Sequence, residues 1–450
     1  MKQFYDFVDA NQDRFLDQLM GLCSQPSIAA QGVGVLETAE LVREMLTAVG
    51  ASARSIDVSG SPPVVYGEVG EGDRTLIIYD HYDVQPPEPL DQWDSDPFSP
   101  YLRDGFLYCR GVADNKGDLV ARLQAVEAYQ ATMGPLPLKV KFVFEGEEEV
   151  GSPHLADFVE ENKQLLIGAD GCLWEGARKD MSGRPELYLG LKGILYVELR
   201  CRGASRDVHS SLAPLVPNPA WRLVWALSTM KDENDRITVD GLIDYVKQPA
   251  SEELRLVEEI PFEGEKIRED LEISEFLGGA QGAQAVRQLL YSPTCTICGM
   301  VSGYTGPGSK TVLPSEATVK LDFRLVPDLE PDLVSQLLRE HLDRRGFGDV
   351  EIVRVSGEHP AKSPLDAPVV EAAIQAARKV YRQDPVVYPT MAGSGPMYAL
   401  STALGIPAVS GSGVGHAKSR IHAPNENIRV EDYFECIKFT GEFFRIFAGM

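Results

Sequence analysis

The sequence predicts an α/β protein: a domain with a mainly parallel central sheet and helices on both faces, interrupted by an α+β insert with an antiparallel sheet. Three observations carry this. Short apolar runs alternate with helical periods up to residue 187. The character changes near residue 188 to longer, alternating strands. From about residue 366 the helix, strand, helix order returns. The chain of 450 residues exceeds one ordinary core, so two domains are expected. They are residues 1–187 with 363–450, and 188–362.

In order, MKQFYDFVDANQDRFLDQLM spaces Phe4, Phe7, Val8, Phe15, Leu16 and Leu19 as an amphipathic helix, unlike an export signal. Leu36, Leu41, Val42, Met45 and Leu46 mark a helix over 36–49. TLIIYD at 75–80 suits a buried strand, the segment from Gly117 a helix, and LKVKFVFE, ending at Glu145, a second strand. In such sheets ligands sit beyond the carboxyl ends of the strands. The insert contributes strand-like YLGLKGILYVELRCRG, TCTICGMVSGY and ATVKLDFRLV, with helices from Pro219 and over 331–345. DYFECIKFTGEFFRIF closes the chain as a helix. PPEP at 86–89 reads as loop.

An apolar fraction of 44% is that of a globular protein, and no apolar run approaches the ~18 residues that cross a membrane. Lys and Arg total 43 against 67 Asp and Glu, a net charge of −24. Such a surface repels phosphate backbones and anionic lipid, so neither nucleic acid nor membrane is an expected partner. Seven cysteines without framework spacing fit a reducing compartment, hence the cytoplasm. Cys295 and Cys298 form a CxxC, but on a strand positions three apart face opposite ways, which argues against a metal knuckle.

Four places gather residues that bind metals or move protons: YDHYDVQP with His81 and Asp83, RGVADNKGD with Asp114, FEGEEEVGS with Glu147, Glu148 and Glu149, and SRIHAPNEN with His422. Glu175 follows the short apolar run of GCLWEGAR. Each is expected where a strand ends. Imidazole with carboxylate is the ligand mixture of hydrolytic zinc. Two ions need a bridging carboxylate, and a carboxylate outside the coordination shell must take the proton from the attacking water. Glu148 and Glu149 suit that division of labour. Taken singly, an HxD is usually a loop pair, a Glu triplet a solvated face, and an Asp-Asn-Lys-Gly stretch a turn.

Together these segments resemble the di-zinc metallopeptidase family of aminoacylase, carboxypeptidase G, succinyl-diaminopimelate desuccinylase and carnosinase, over essentially the whole chain. GSKTVLPSEATVKLDFRLVP is similar to the lid segment of its cytosolic non-specific dipeptidase branch. The resemblance implies a zinc-peptidase-like catalytic domain carrying a lid, or dimerisation, domain, and a homodimer formed through that lid. It implies two divalent metal ions, zinc above all, with manganese or cobalt also suited. His81 and Glu175 would bind one ion, His422 and Glu149 the other, and Asp114 both. Glu148 would be the general base, and Asp83 would orient His81. A cis peptide is expected after the bridging residue, at Asp114–Asn115. RDVHSSLAPLVPNP resembles the lid histidine motif, so His209 would stabilise the oxyanion, from the partner subunit in dimeric members. Asn218 belongs to the same motif. Thr311, Arg324 and Ser394 match positions that contact substrate. The alternative for His209 is a surface residue near a turn, and for Arg324 a structural ion pair.

Some residues depart from the dipeptidase pattern. Glu175 stands where that branch usually has Asp, GHAKSRIH replaces an Asp-rich loop and adds His416, and a further lid histidine has no match near AKSPLDAP. The expected activity is hydrolysis of the amide bond of dipeptides or small peptides. The alternatives are an N-acyl amino acid deacylase with the same metals, and a metal-bearing binding protein without catalysis.

Overall fold

The computed structural model describes residues 1–58, 60–411 and 413–450. The chain divides into two compact units. The first comprises Met1–Gly190, Lys362–Pro389 and Pro396–Met450; the second comprises Leu191–Ala361 and Thr390–Gly395. No shift in composition marks the short return of Thr390–Gly395 to the second unit.

In the first unit an eight-stranded sheet runs, edge to edge, Ser52–Ile56, Val64–Val69, Lys139–Glu145, Thr75–His81, Gly171–Trp174, Ala408–Ser410, Glu186–Tyr188 and Val386–Tyr388. The third to sixth of these strands are parallel. Antiparallel pairs add the first two, and a single antiparallel residue pair, Ser410 with Tyr188, joins the sixth to the seventh. The central strands are apolar throughout because both faces are covered. Ile77, Ile78, Tyr79, Phe142, Val143, Cys172 and Leu173 are all fully buried.

Helix Lys116–Met133 packs on helix Val430–Ala448, which also packs on helix Pro368–Tyr381. Tyr433, Ile437, Phe443, Phe444 and Phe447 fill the core from the C-terminal helix. Burial of aromatic side chains of this size contributes roughly 1.5–3 kcal/mol each. Gly441 lies where a methyl group would overlap the ring of Phe4. That close approach seats the N-terminus. The expected single N-terminal helix is two, Lys2–Ala10 and Gln12–Cys23. Asn11 breaks it, leaving helical φ/ψ while its side-chain amide donates to the Phe7 carbonyl.

The second unit is built on a four-stranded antiparallel sheet in the order Thr296–Ser302, Glu316–Leu325, Gly193–Arg202, Glu351–Glu358. Alternation puts Leu195, Val197, Leu199 and Cys201 on the face that meets Leu223, Val334, Leu338 and Leu342 from helices Pro219–Leu227 and Pro331–Arg344. Each helix begins with proline at its first position, where no N–H is required. Cys295 is buried and Cys298 exposed, and all seven cysteines are free thiols. Among the described residues no helix is long and apolar enough to cross a membrane.

Candidate metal centre

Strand order alone gathers the first donors. His81 is the last residue of its strand and pairs in register with Glu145, so Glu147–Glu149 follow at the same sheet edge. Trp174 ends the neighbouring parallel strand, and Glu175 comes next. Asp114 precedes helix Lys116–Met133, whose Gly117 leaves room that a methyl group would deny to the Val112 carbonyl. The Asp114–Asn115 peptide is cis, as the resemblance implies. His422 departs from the expectation of a strand end. It sits in the loop between Gly415–His416 and Asn427–Arg429, with Arg420, His422 and Asn425 all in the left-handed region at φ 56°, 60° and 62°. Such backbone is unusual for residues with a Cβ.

The geometry centres on Asp114. Its Oδ1 lies 3.1 Å from His81 Nε2 and its Oδ2 3.0 Å from His422 Nε2. Glu175 Oε2 stands 3.5 Å from His81 Nε2, and Glu149 Oε2 3.1 Å from His422 Nε2. Asp114, Glu149 and His422 each offer a ligand atom within 4.8 Å of the others. Glu148 Oε2 approaches His81 Nε2 to 4.0 Å. All five donor positions and the adjacent Glu148 therefore lie together.

Asp83 holds the arrangement from beneath. Its Oδ1 is 3.2 Å from His81 Nδ1 and also accepts the Glu148 N–H, while Oδ2 accepts the Glu149 N–H at 3.1 Å. One buried carboxylate thus fixes an imidazole and the glutamate turn. With Nδ1 facing that carboxylate, His81 would keep a proton on Nδ1 and offer the Nε2 lone pair to a bound ion.

The electrostatics fit a cation. Burial raises the pKa of Glu148 to about 8, partly offset by His81 and reinforced by Asp114 and Glu149. Burial also lifts Glu175 well above the carboxylate range, and its Oε2 has no hydrogen-bond partner. Asp114 goes the other way: burial opposes its ionisation, but the two facing imidazoles hold it well below the usual range. Hydrogen bonds to Asp114 and Glu149 carry His422 up to about 10. Carboxylates packed this closely repel one another, and a divalent cation removes that cost.

Several supporting residues carried no sequence signal of their own. Glu426, four residues after His422, wraps the Asp114 turn. Its Oε1 accepts the N–H groups of Ala113 and Asp114, and its Oε2 those of Gly111 and the Arg110 guanidinium. Gln85 Nε2 donates to Glu149 Oε2 at 2.9 Å. Arg122, fully buried, donates to Asp80 and to the carbonyls of Tyr79 and Trp174, bracing the strand ends before His81 and Glu175. Asp118 accepts the N–H groups of Gly176 and Val414. The spacing of Glu426 from His422 within SRIHAPNEN was the one available hint.

His416 is structural. It is buried, its Nε2 is 3.0 Å from Asn427 Oδ1, and its Nδ1 accepts the Lys418 N–H, so both ring nitrogens are committed. Burial lowers its pKa, keeping it neutral.

The remaining expected residues belong to the second unit. His209 is exposed on a two-stranded ribbon, Val208–His209 with Val312–Leu313. Its Nδ1 accepts the Ser211 N–H, and its Nε2 lies 3.2 Å from Thr311 Oγ1. Asn218 caps helix Pro219–Leu227 by accepting the Ala220 N–H. Arg324 Nη1 donates to Ser394 Oγ at 2.8 Å, so two expected substrate contacts touch each other.

Comparison with known proteins gives the family. Residues 77–445 match the sequence profile of Peptidase family M20/M25/M40. The Beta-Ala-His dipeptidase of Rattus norvegicus is 28% identical over 99% of this chain and 95% of its own. The Cys-Gly metallodipeptidase dug1 of Schizosaccharomyces pombe is 28% identical over 76% of each. Among solved structures, the M20 family metallo-carboxypeptidase Sso-CP2 from Sulfolobus solfataricus is 40% identical with a TM-score of 0.91, covering 97% of this chain and 99% of that one. Human carnosine dipeptidase 1 is 27% identical with a TM-score of 0.78 over the full length of both.

Proposed function

The chain belongs to peptidase family M20/M25/M40, and from that premise we propose that it is a metal-dependent hydrolase of dipeptides or small peptides with a free C-terminal carboxylate. One observation carries the reading: the two oxygens of Asp114 face two different imidazoles at 3.1 and 3.0 Å. A carboxylate so placed is suited to bridge two ions. His81 and Glu175 would hold one, His422 and Glu149 the other. The oxygen and imidazole donors suit zinc, with manganese or cobalt as workable substitutes. Two such ions, when bound, polarise a carbonyl and lower the pKa of a shared water.

The residues of this chain supply the rest. Glu148 takes the proton from water and delivers it to the leaving nitrogen, and a raised carboxyl pKa suits a group that must both accept and give. Asp83 keeps Glu148 and His81 in fixed relation through one oxygen, Oδ1, which faces His81 Nδ1 and accepts the Glu148 N–H. His209 stabilises the oxyanion. Its Nδ1 accepts a backbone N–H, which leaves Nε2, 3.2 Å from Thr311 Oγ1, as the ring's donor. Arg324 and Ser394 anchor the terminal carboxylate, with Thr311 and Asn218 shaping the approach. The names of the dipeptidase and carboxypeptidase relatives support this substrate class.

The second unit exposes Trp221 and Trp225 on one helix and Ile297, Met300 and Val301 on an edge strand. That supports a homodimer through this unit, and a monomeric mass by light scattering for the active enzyme would refute it. The free cysteines support a cytoplasmic location. A second reading, an N-acyl amino acid deacylase, is favoured only by the glutamate at position 175. Metal analysis, with chelator-sensitive turnover of dipeptides and N-acyl amino acids, tests both. About two ions per chain and a dipeptide as best substrate are expected. A metallated protein that cleaves only N-acyl amino acids moves the assignment to the second reading.

A further inference from the structure

Lys192 is an oddity of the second unit. It is 2% exposed, yet its ammonium meets two carbonyl oxygens, those of Leu289 and Ser292, each at 2.7 Å. Both carbonyls lie at the C-terminal end of helix Gly282–Tyr291, where helix carbonyls lack intrahelical partners and the negative end of the macrodipole favours a cation. Burial, with the nearby Arg324 charge adding to it, lowers the Lys192 pKa to about 8. A helix cap alone does not require a buried lysine, because Gly, Asn or water serve that purpose without the desolvation cost.

The hydrogen bonds around it supply a reason. Two residues beyond Ser292, Thr294 is tied to Arg324 by reciprocal bonds: its hydroxyl accepts the Arg324 N–H at 2.9 Å, and its own N–H donates to the Arg324 carbonyl at 3.1 Å. On the other side, the backbone N–H of Lys192 donates to the carbonyls of Met391 and Gly393. The next residue, Ser394, accepts from the Arg324 guanidinium and donates to the Gly193 carbonyl at 3.0 Å. One residue therefore holds two segments. Its side chain fixes the strand entry that sets the Arg324 backbone, and its main chain fixes the loop that aims the Arg324 side chain.

We propose that Lys192 is a positioning residue for Arg324, closing a ring of hydrogen bonds through Ser292, Thr294, Gly393 and Ser394 that sets the enzyme's preference for substrates ending in a free carboxylate. The inference rests on Arg324 as the carboxylate anchor. A guanidinium recognises a carboxylate through two parallel bonds, and small errors of aim forfeit one of them. Loss of one charge-assisted bond costs roughly tenfold in affinity.

The test compares a dipeptide with its own C-terminal amide on the full-length, metal-loaded enzyme. Lys192→Met should lower the ratio of kcat/KM for acid over amide by roughly tenfold, with the loss in KM rather than kcat. The dissociation constant for the free dipeptide, measured by calorimetry on metal-free protein, should rise by a similar factor. Lys192→Arg, which can still donate to both carbonyls, should recover most of the preference. Thr294→Val removes one of the two bonds to the Arg324 backbone without touching the buried charge and should shift the ratio the same way, so the inference stays testable even if Lys192→Met folds poorly. Arg324→Met separates the two levels. If it leaves the ratio unchanged, the carboxylate-anchor reading falls. If it collapses the ratio while Lys192→Met and Thr294→Val only lower the melting temperature, the anchor stands and the positioning role of Lys192 is overturned.

Discussion

Two histidines given roles in the same reaction live in opposite surroundings. His81 is fully buried, with Asp83 on one ring nitrogen and Asp114 on the other. His209 is exposed, and among the described residues its ring hydrogen-bonds Ser211 and Thr311. The first sits where carboxylates would repel one another unless a cation joined them, so every neighbour must be fixed in advance. The second, in the role proposed for it, would meet its target only once substrate is present, so few partners would suffice. Preorganisation is concentrated where charge is dense and sparse where contact is transient.

Substitutions can sharpen or break that contrast. The largest effect should follow from Glu148→Gln, which keeps shape and metal but removes the proton carrier. Turnover should fall about 10³- to 10⁴-fold with metal content unchanged. Retained activity would remove Glu148 from the role of base. His209→Ala should cost roughly 10²- to 10³-fold in kcat, with metal content and melting temperature intact, since little in the fold depends on it. A loss of metal in that variant would erase the distinction between the two histidines. Asp83→Asn should weaken metal binding about 10- to 100-fold in a competition titration with a chromophoric chelator, the signature of a residue that acts by orienting ligands.

The smallest effect belongs to the surface of the second unit. Asp240 accepts from Arg344 and Arg345 and lies beside His341; these contacts, Arg345 first, lower its pKa to about 2. A carboxylate depressed on folding adds stability above its unfolded value near 4, and that share is lost as the pH falls towards 2. Asp240→Asn should flatten this part of the acid melting profile and leave peptide hydrolysis unaltered. An unchanged acid profile would mean solvent screening cancels the cluster.

The ease of reading each region from sequence follows the same physics. His81, Glu149 and Glu175 were legible because each follows a buried apolar run, and sheet geometry delivers the ends of adjacent parallel strands to one edge. His422 was legible as a residue type but its placement was not, because its position comes from a loop with left-handed backbone that no periodicity predicts. Glu426, Arg122 and Asp118 act through backbone groups far away in sequence, and nothing in local pattern encodes such contacts. In the second unit, strand alternation was clear from residue 188 onward. The seating of Thr390–Gly395 there was not, because that short loop is held by hydrogen bonds to Lys192 and Arg324 rather than by apolar spacing.

The strand order of the first unit bears on how the chain is made. Ala408–Ser410 lies between Gly171–Trp174 and Glu186–Tyr188, so two strands made early are joined in the sheet only by one made late. The four-stranded sheet of the second unit is complete once residue 358 has emerged. Synthesis from the N-terminus thus finishes the inserted unit first, while the metal-binding unit waits with an open sheet for its last strands and its final helix. Ribosome pausing or a chaperone would matter most in that interval, when half a sheet edge stands uncovered.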